Sequence, residues 1–184
     1  MKALFIKISS ILLLLCLITA GCKKEDTLPL ATQEGLNTFG MLVNGQIWNA
    51  GLNLSFVSQS LDCQYQTQTK QLSITAKNPK RNESITLFVV RVISVGYYNF
   101  SFQNYIRSQD TSCHSCLRCL DYTTFLDVNG CNNPFRLKDS INSMLHITKL
   151  DTMKKIVSGT FSLNLKNSDN KIINITDGRF DVQY

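Results

Sequence analysis

Three cysteines within seven positions, Cys113, Cys116 and Cys119 in "CHSCLRC", are the densest set of chemically competent side chains in the sequence. Thiolates so close together suit a metal or a cluster. The spacing starts like a bacterial iron–sulfur run, which needs a fourth cysteine four positions on and a proline behind it. Thr123 stands at that position. Haem attachment through C-x-x-C-H fails as well, because Leu117 follows Cys116. Zinc asks only for four thiolates, and Cys113, Cys116 and Cys119 with the distant Cys131 form a candidate set. The same thiols can close disulfides, and the redox state of the compartment decides between these outcomes.

The N-terminus sets that compartment. Lys2 and Lys7 precede an eleven-residue apolar run, residues 8–18, and small residues lead to Cys22 in "TAGC". A charged start, an apolar stretch and a small-residue cleavage site make a secretory signal peptide, residues 1–21. The run is too short to span a bilayer, which takes roughly 17–25 residues. "TAGC" resembles a bacterial lipobox, which makes Cys22 the expected site of lipid attachment and a membrane the first partner. "KKED" behind it resembles the surface-export signal of Bacteroidota lipoproteins. The expected location is the outer membrane, facing outward, with a periplasm-facing placement as the alternative.

Outside the cytoplasm cysteines are usually disulfide partners. Setting aside Cys16 in the signal peptide and Cys22 leaves Cys63, Cys113, Cys116, Cys119 and Cys131. Five thiols allow two bridges and one leftover, and the expected pairing joins two of the cluster to Cys63 and Cys131. Each bridge would contribute roughly 2–4 kcal/mol.

Beyond residue 21, 17 Lys and Arg stand against 13 Asp and Glu, a net charge of +4. The basic residues are scattered, whereas nucleic-acid binding requires a stripe or cluster. No nucleic-acid partner is expected. Residues 22–38 show no sustained period and read as the lipidated cysteine and a flexible tether, whose sixteen residues after Cys22 span roughly 20–24 Å. Residues 39–184 suffice for one compact domain, with a Cys-rich loop near 107–121.

Elements able to position these residues are strands from end to end. "FGMLV" meets Asn44 and Gly45, a pair that favours a tight hairpin because both central residues need positive φ. "KQLSITAK" puts Leu72, Ile74 and Ala76 on one face. Residues 84–94 are apolar on both faces, as a central strand would be. Leu145 and Ile147 alternate with His146 and Thr148. Val157, Phe161, Leu163 and Leu165 share a face with Gly159, which marks a bulge or a close approach. Phe180, Val182 and Tyr184 alternate with Arg179, Asp181 and Gln183. The fold class expected is all-β, a single antiparallel sandwich or partly open barrel of about nine to ten strands.

"FGMLVNGQIWNA" and "HITKLDTMKKIVSGTFSLNLKN…INITDGRFDVQY" resemble an uncharacterised family of Bacteroidota lipoproteins. Its members share an opening vnGxxWxA hairpin and a closing IxGxF strand followed by ITxGRFDV. The resemblance covers about sixty residues and implies a compact β domain with no catalytic residues to carry over.

Trp48, the single tryptophan, reads as a core plug in an alternating strand, with a sugar-stacking platform as the functional alternative. His114 and His146 have no Ser or Asp at motif spacing, so no catalytic residue and no cofactor is singled out. Arg179 and Asp181 share a strand face and suit sealing of the final strand. "DTL", "DSI" and "DTM" resemble O-glycosylation acceptors of Bacteroidota extracytoplasmic proteins, which marks Thr27, Ser140 and Thr152. Asp before Ser or Thr also starts turns through its own side chain. The function expected is a lipid-anchored, non-catalytic binding module for a protein or glycan ligand. A thiol-redox or metal-binding protein using the Cys113, Cys116 and Cys119 loop is the alternative.

Overall fold

A computed structural model describes residues 27–51, 60–99, 124–127, 133–137 and 143–184. Cys22, Cys113, Cys116, Cys119, Cys131 and Ser140 lie outside them, as does the expected loop near 107–121.

The described chain is all β. Its strands are β1 Thr38–Val43, β2 Gln46–Asn49, β3 Leu61–Gln66, β4 Gln71–Asn78, β5 Glu83–Val89, β6 Gly96–Asn99, β7 Thr124–Asp127, β8 Phe135–Leu137, β9 Met144–Asp151, β10 Ile156–Lys166 and β11 Ile172–Gln183. The count reaches eleven because the three-residue β8 is included. Every pairing is antiparallel.

β10 organises the sandwich. Residues 156–162 pair with β9, whereas Leu165 and Lys166 pair with β8. One sheet therefore runs β2-β1-β11-β10-β9-β6, and the other, β8-β7-β5-β4-β3, leaves it at the far end of β10. Their apolar faces meet in one core. Met41, Trp48, Val157, Leu165 and Phe180 from the first sheet pack with Leu72, Ile74, Ala76, Ile85 and Leu87 from the second. Burial of that alternating set is the main force holding the sheets together.

Local chemistry follows the sequence at two positions. Asn44 and Gly45 turn β1 into β2 with φ of 49° and 80°, the left-handed pair that a two-residue hairpin requires. At Gly159 the register against β9 shifts, and a Cβ there would lie 2.5 Å from the His146 carbonyl oxygen. Bulge and close approach coincide.

One expectation needs correcting, and another has its partners outside the described residues. Residues 27–37, assigned to the flexible tether, are hydrogen-bonded to the domain. The Asn49 amide donates to the Thr27 carbonyl at 2.8 Å, and Lys149 Nζ donates to the Gln33 carbonyl at 2.7 Å. Cys63, expected in a bridge, carries a free thiol among the described residues, which do not include its expected partners Cys113, Cys116, Cys119 and Cys131. It stands on β3 opposite Ile74, with its side chain against the core.

Candidate functional site

The outer face of the first sheet carries a transverse row of paired residues. Tyr97 on β6 sits opposite His146 on β9, His146 opposite Thr160 on β10, and Thr160 opposite Arg179 on β11. The row continues through Gly40 on β1 to Asn49 on β2. Because side chains alternate across a strand, one register fixes all of them on the same face, away from the core.

The segment 27–37 lies as a strap across the same face. Gly40 makes room for it: a Cβ there would fall 2.4 Å from Cδ of Pro29. Farther along, Asp181 holds the strap. Its carboxylate accepts hydrogen bonds from the Thr32 hydroxyl at 2.6 Å, and from the backbone N–H groups of Glu34, Gly35 and Leu36 at 3.0, 2.8 and 3.2 Å. The Ser158 hydroxyl adds a fifth at 2.7 Å. Asp181 is fully buried. Burial alone would raise its carboxyl. The bonds from Thr32, Ser158, Gly35 and Glu34 outweigh that effect and hold it at about 2. Sealing of the final strand is thus the role of Asp181, whereas Arg179 turns its Nε to the Asp177 carbonyl at 3.1 Å.

Between the strap and β6 lies a groove of about 440 Å³, lined by Ala31 on one side and by Tyr97, Met144 and His146 on the other. Thr160, Ser162, Asp177 and Arg179 also line it. Tyr97 is 69% exposed, and its ring stacks on His146 with centroids 4.2 Å apart and planes 11° from parallel. β11 is irregular here: its register slips against both β1 and β10 near Asp177, whose φ is 51°. Bulges of this kind re-aim side chains beside binding sites.

The chain matches no family model, no curated protein and no solved structure.

The groove offers recognition chemistry: an exposed aromatic face, two hydroxyls, a carboxylate and a guanidinium. His146, Ser162 and Asp177 line it together, yet among the described residues no hydrogen bond joins His146 to either. Nor do the described residues bring three or more His, Cys, Asp or Glu side chains into a metal-holding group.

The other residues marked in the sequence are dispersed. Trp48 is a core plug, edge-on to Phe39 at 6.1 Å, with Nε1 donating to Glu83 Oε2 at 2.7 Å. Thr27 and Thr152 are exposed. Asp151, before Thr152, accepts from the backbone N–H groups of Met153 and Lys154, so this "DT" does start a turn. Sequence reasoning missed Tyr97. The signal available was an aromatic pair, Tyr97 and Tyr98, in which strand alternation sends one ring outward.

Proposed function

We propose that this protein is a lipid-anchored, non-catalytic binding module of the outer membrane, and that the groove beside Tyr97 takes a saccharide. The observation that carries the reading is the exposed Tyr97 ring propped on His146 within a row of polar side chains. A sugar ring presents C–H groups on its faces and hydroxyls around its edge. Tyr97 and Met144 suit the former. Thr160 and Ser162 suit the latter, with Asp177 to accept and Arg179 to donate. Both charge signs in one groove favour a neutral ligand with mixed donors and acceptors over an ion of either sign. The site is built on strands, which hold side chains in fixed geometry.

The envelope location rests on the signal peptide, "TAGC" and "KKED", and on the resemblance to Bacteroidota lipoproteins at both ends of the domain. Anchoring through Cys22 requires more than one acyl chain, since a single chain holds only marginally. A Cys22→Ser variant is expected to become soluble, and one that stays with membranes removes the anchor.

A glycan array probed with the wild type and with Tyr97→Ala tests the ligand class. Saccharide hits that vanish in the variant are expected. Binding to protein ligands alone, or hits that survive the loss of Tyr97, would overturn the assignment.

A further inference from the structure

One residue of the groove is placed by a departure from strand geometry. At this point β11 carries one residue more than either neighbour. Asp177 and Gly178 stand opposite Met41 alone on β1, and Thr176 and Asp177 stand opposite Ser162 alone on β10. Asp177 is common to both. Counted by alternation from the buried Ile175, it would point into the core. The extra residue turns it outward, where it is exposed. Its φ of 51° is left-handed, which costs any residue with a Cβ, aspartate less than most. Two contacts hold the bulge. A Cβ on Gly178 would fall 2.5 Å from the Phe161 ring, so only glycine fits beneath it. The Arg179 Nε donates to the Asp177 backbone carbonyl.

The fold makes no use of the carboxylate that results. Asn and Asp side chains in turns commonly bond to backbone, and two others at positive φ do so here. Asn37 Oδ1 accepts the Gln183 N–H at 3.0 Å, and Asn44 Oδ1 accepts the Asn174 N–H at 2.9 Å. Among the described residues, no hydrogen bond or ion pair reaches the Asp177 carboxylate. It lines the groove beside Ser162 and Arg179 with both oxygens open to a ligand.

We infer that Asp177 is the specificity-determining residue of the groove, selecting a neutral saccharide that presents two hydroxyls on adjacent carbons. A carboxylate only accepts, and its two oxygens lie side by side, which matches a pair of neighbouring O–H donors. The Thr160 and Ser162 hydroxyls donate or accept by rotation, so they read hydroxyl positions less strictly. Hydrogen bonds to a charged acceptor are also the stronger class. Arg179 in the same groove offsets the charge, which disfavours a bare cation as the occupant.

This selection rests on the saccharide reading of the groove, and the experiment separates the two. The full-length protein is applied to a printed array of neutral gluco-, galacto- and mannopyranoside oligosaccharides, their monodeoxy derivatives and amino sugars. Wild type, Tyr97→Ala, Asp177→Gly and Asp177→Asn are compared. Glycine adopts a φ of 51° freely, so Asp177→Gly is expected to keep the wild-type urea midpoint. Its binding to the Tyr97-dependent saccharides should nevertheless fall about 10- to 150-fold, the loss expected for a hydrogen bond to a charged group. Asp177→Asn, which turns one acceptor into a donor, should fall in the same direction. Removing either hydroxyl of one adjacent pair should weaken wild-type binding by a similar factor and leave Asp177→Gly unaffected, the coupling that a double-mutant cycle detects. If no saccharide binds in a Tyr97-dependent way, the ligand class falls and this role falls with it. Tyr97-dependent binding that survives Asp177→Gly overturns the selection alone. So do deoxy losses equal in the two proteins, or binding confined to amino sugars with a free ammonium.

Discussion

The Thr32 hydroxyl donates to the Asp181 carboxylate at 2.6 Å, joining residues 149 apart in sequence. With the three backbone N–H groups that follow Thr32, it closes the strap onto the final strand. Asp181→Asn keeps the shape but turns an acceptor-only group into one that also donates, facing donors. Hydrogen bonds to charged groups contribute about 1.5–3 kcal/mol, so the variant is expected to lose about that much in urea unfolding. New proteolytic cuts within residues 27–37 should accompany the loss. Thr32→Val, which removes one bond to the charged carboxylate, should cost about 1.5–3 kcal/mol by the same figure.

Acid stability carries the same signature. An Asp carboxyl titrates near 3.9 in an unfolded chain, and in the fold Asp181 is held at about 2. A depressed acid stabilises the fold above its unfolded value and loses that contribution as pH falls through the folded one. About 2 kcal/mol is therefore expected to disappear between roughly pH 4 and pH 2. Melting temperatures measured across that window should fall further for the wild type than for Asp181→Asn. Equal falls would sink the assignment.

Gly159→Ala probes the closest backbone approach in the first sheet. The added methyl would lie 2.5 Å from the His146 carbonyl oxygen and 2.8 Å from the Phe180 ring. Backbone cannot step aside as a side chain can, so overpacking of about 1–3 kcal/mol is expected. Chemical unfolding measures it, and a variant as stable as the wild type would show that the bulge relaxes.

What the sequence made legible is what short-range rules govern. Asn44 and Gly45 marked a turn because few residues accept positive φ. Leu72, Ile74 and Ala76 marked a buried face because alternation is local. The strap escaped notice because residues 27–37 have no period of their own, and the carboxylate that orders them lies on the last strand. The groove escaped because Tyr97, His146, Thr160 and Arg179 come from four strands, and only their register brings them into one row. A count of cysteines does not show where Cys63 points; its inward position on β3 follows from pairing with β4.

Cys63 itself gives a chemical test. Burial, reinforced by the neighbouring Asp62 charge, pushes its thiol up to about 12. The thiolate is the reactive form, so almost none is present at neutral pH. In the unreduced native protein iodoacetamide should leave Cys63 unmodified, and denaturant should expose it. Setting aside Cys22, the proposed lipid site, Cys113, Cys116, Cys119 and Cys131 remain beside Cys63; on the proposed export, two bridges among these four should appear as a mass gain of four hydrogens on reduction, with Cys63 alkylated only after denaturation. Rapid native alkylation at Cys63 would overturn the buried placement.

His146 has a role separable from any acid–base function. Its ring lies flat beneath Tyr97, 4.2 Å away, so it restrains the ring offered to a ligand. Aromatic pairs of this kind contribute about 0.5–1.5 kcal/mol beyond the area they bury. For the proposed saccharide ligand, His146→Ala should therefore weaken binding about 2- to 12-fold, a range that follows from the same energies. His146→Phe restores the stack without an ionisable ring and should restore affinity. Calorimetric titration of both variants distinguishes the roles. If Phe binds as poorly as Ala, His146 contacts the ligand through its nitrogens. If it binds like the wild type across pH 5 to 8, the ring serves only to position Tyr97, and the groove reads its ligand by shape and hydroxyl pattern rather than by charge.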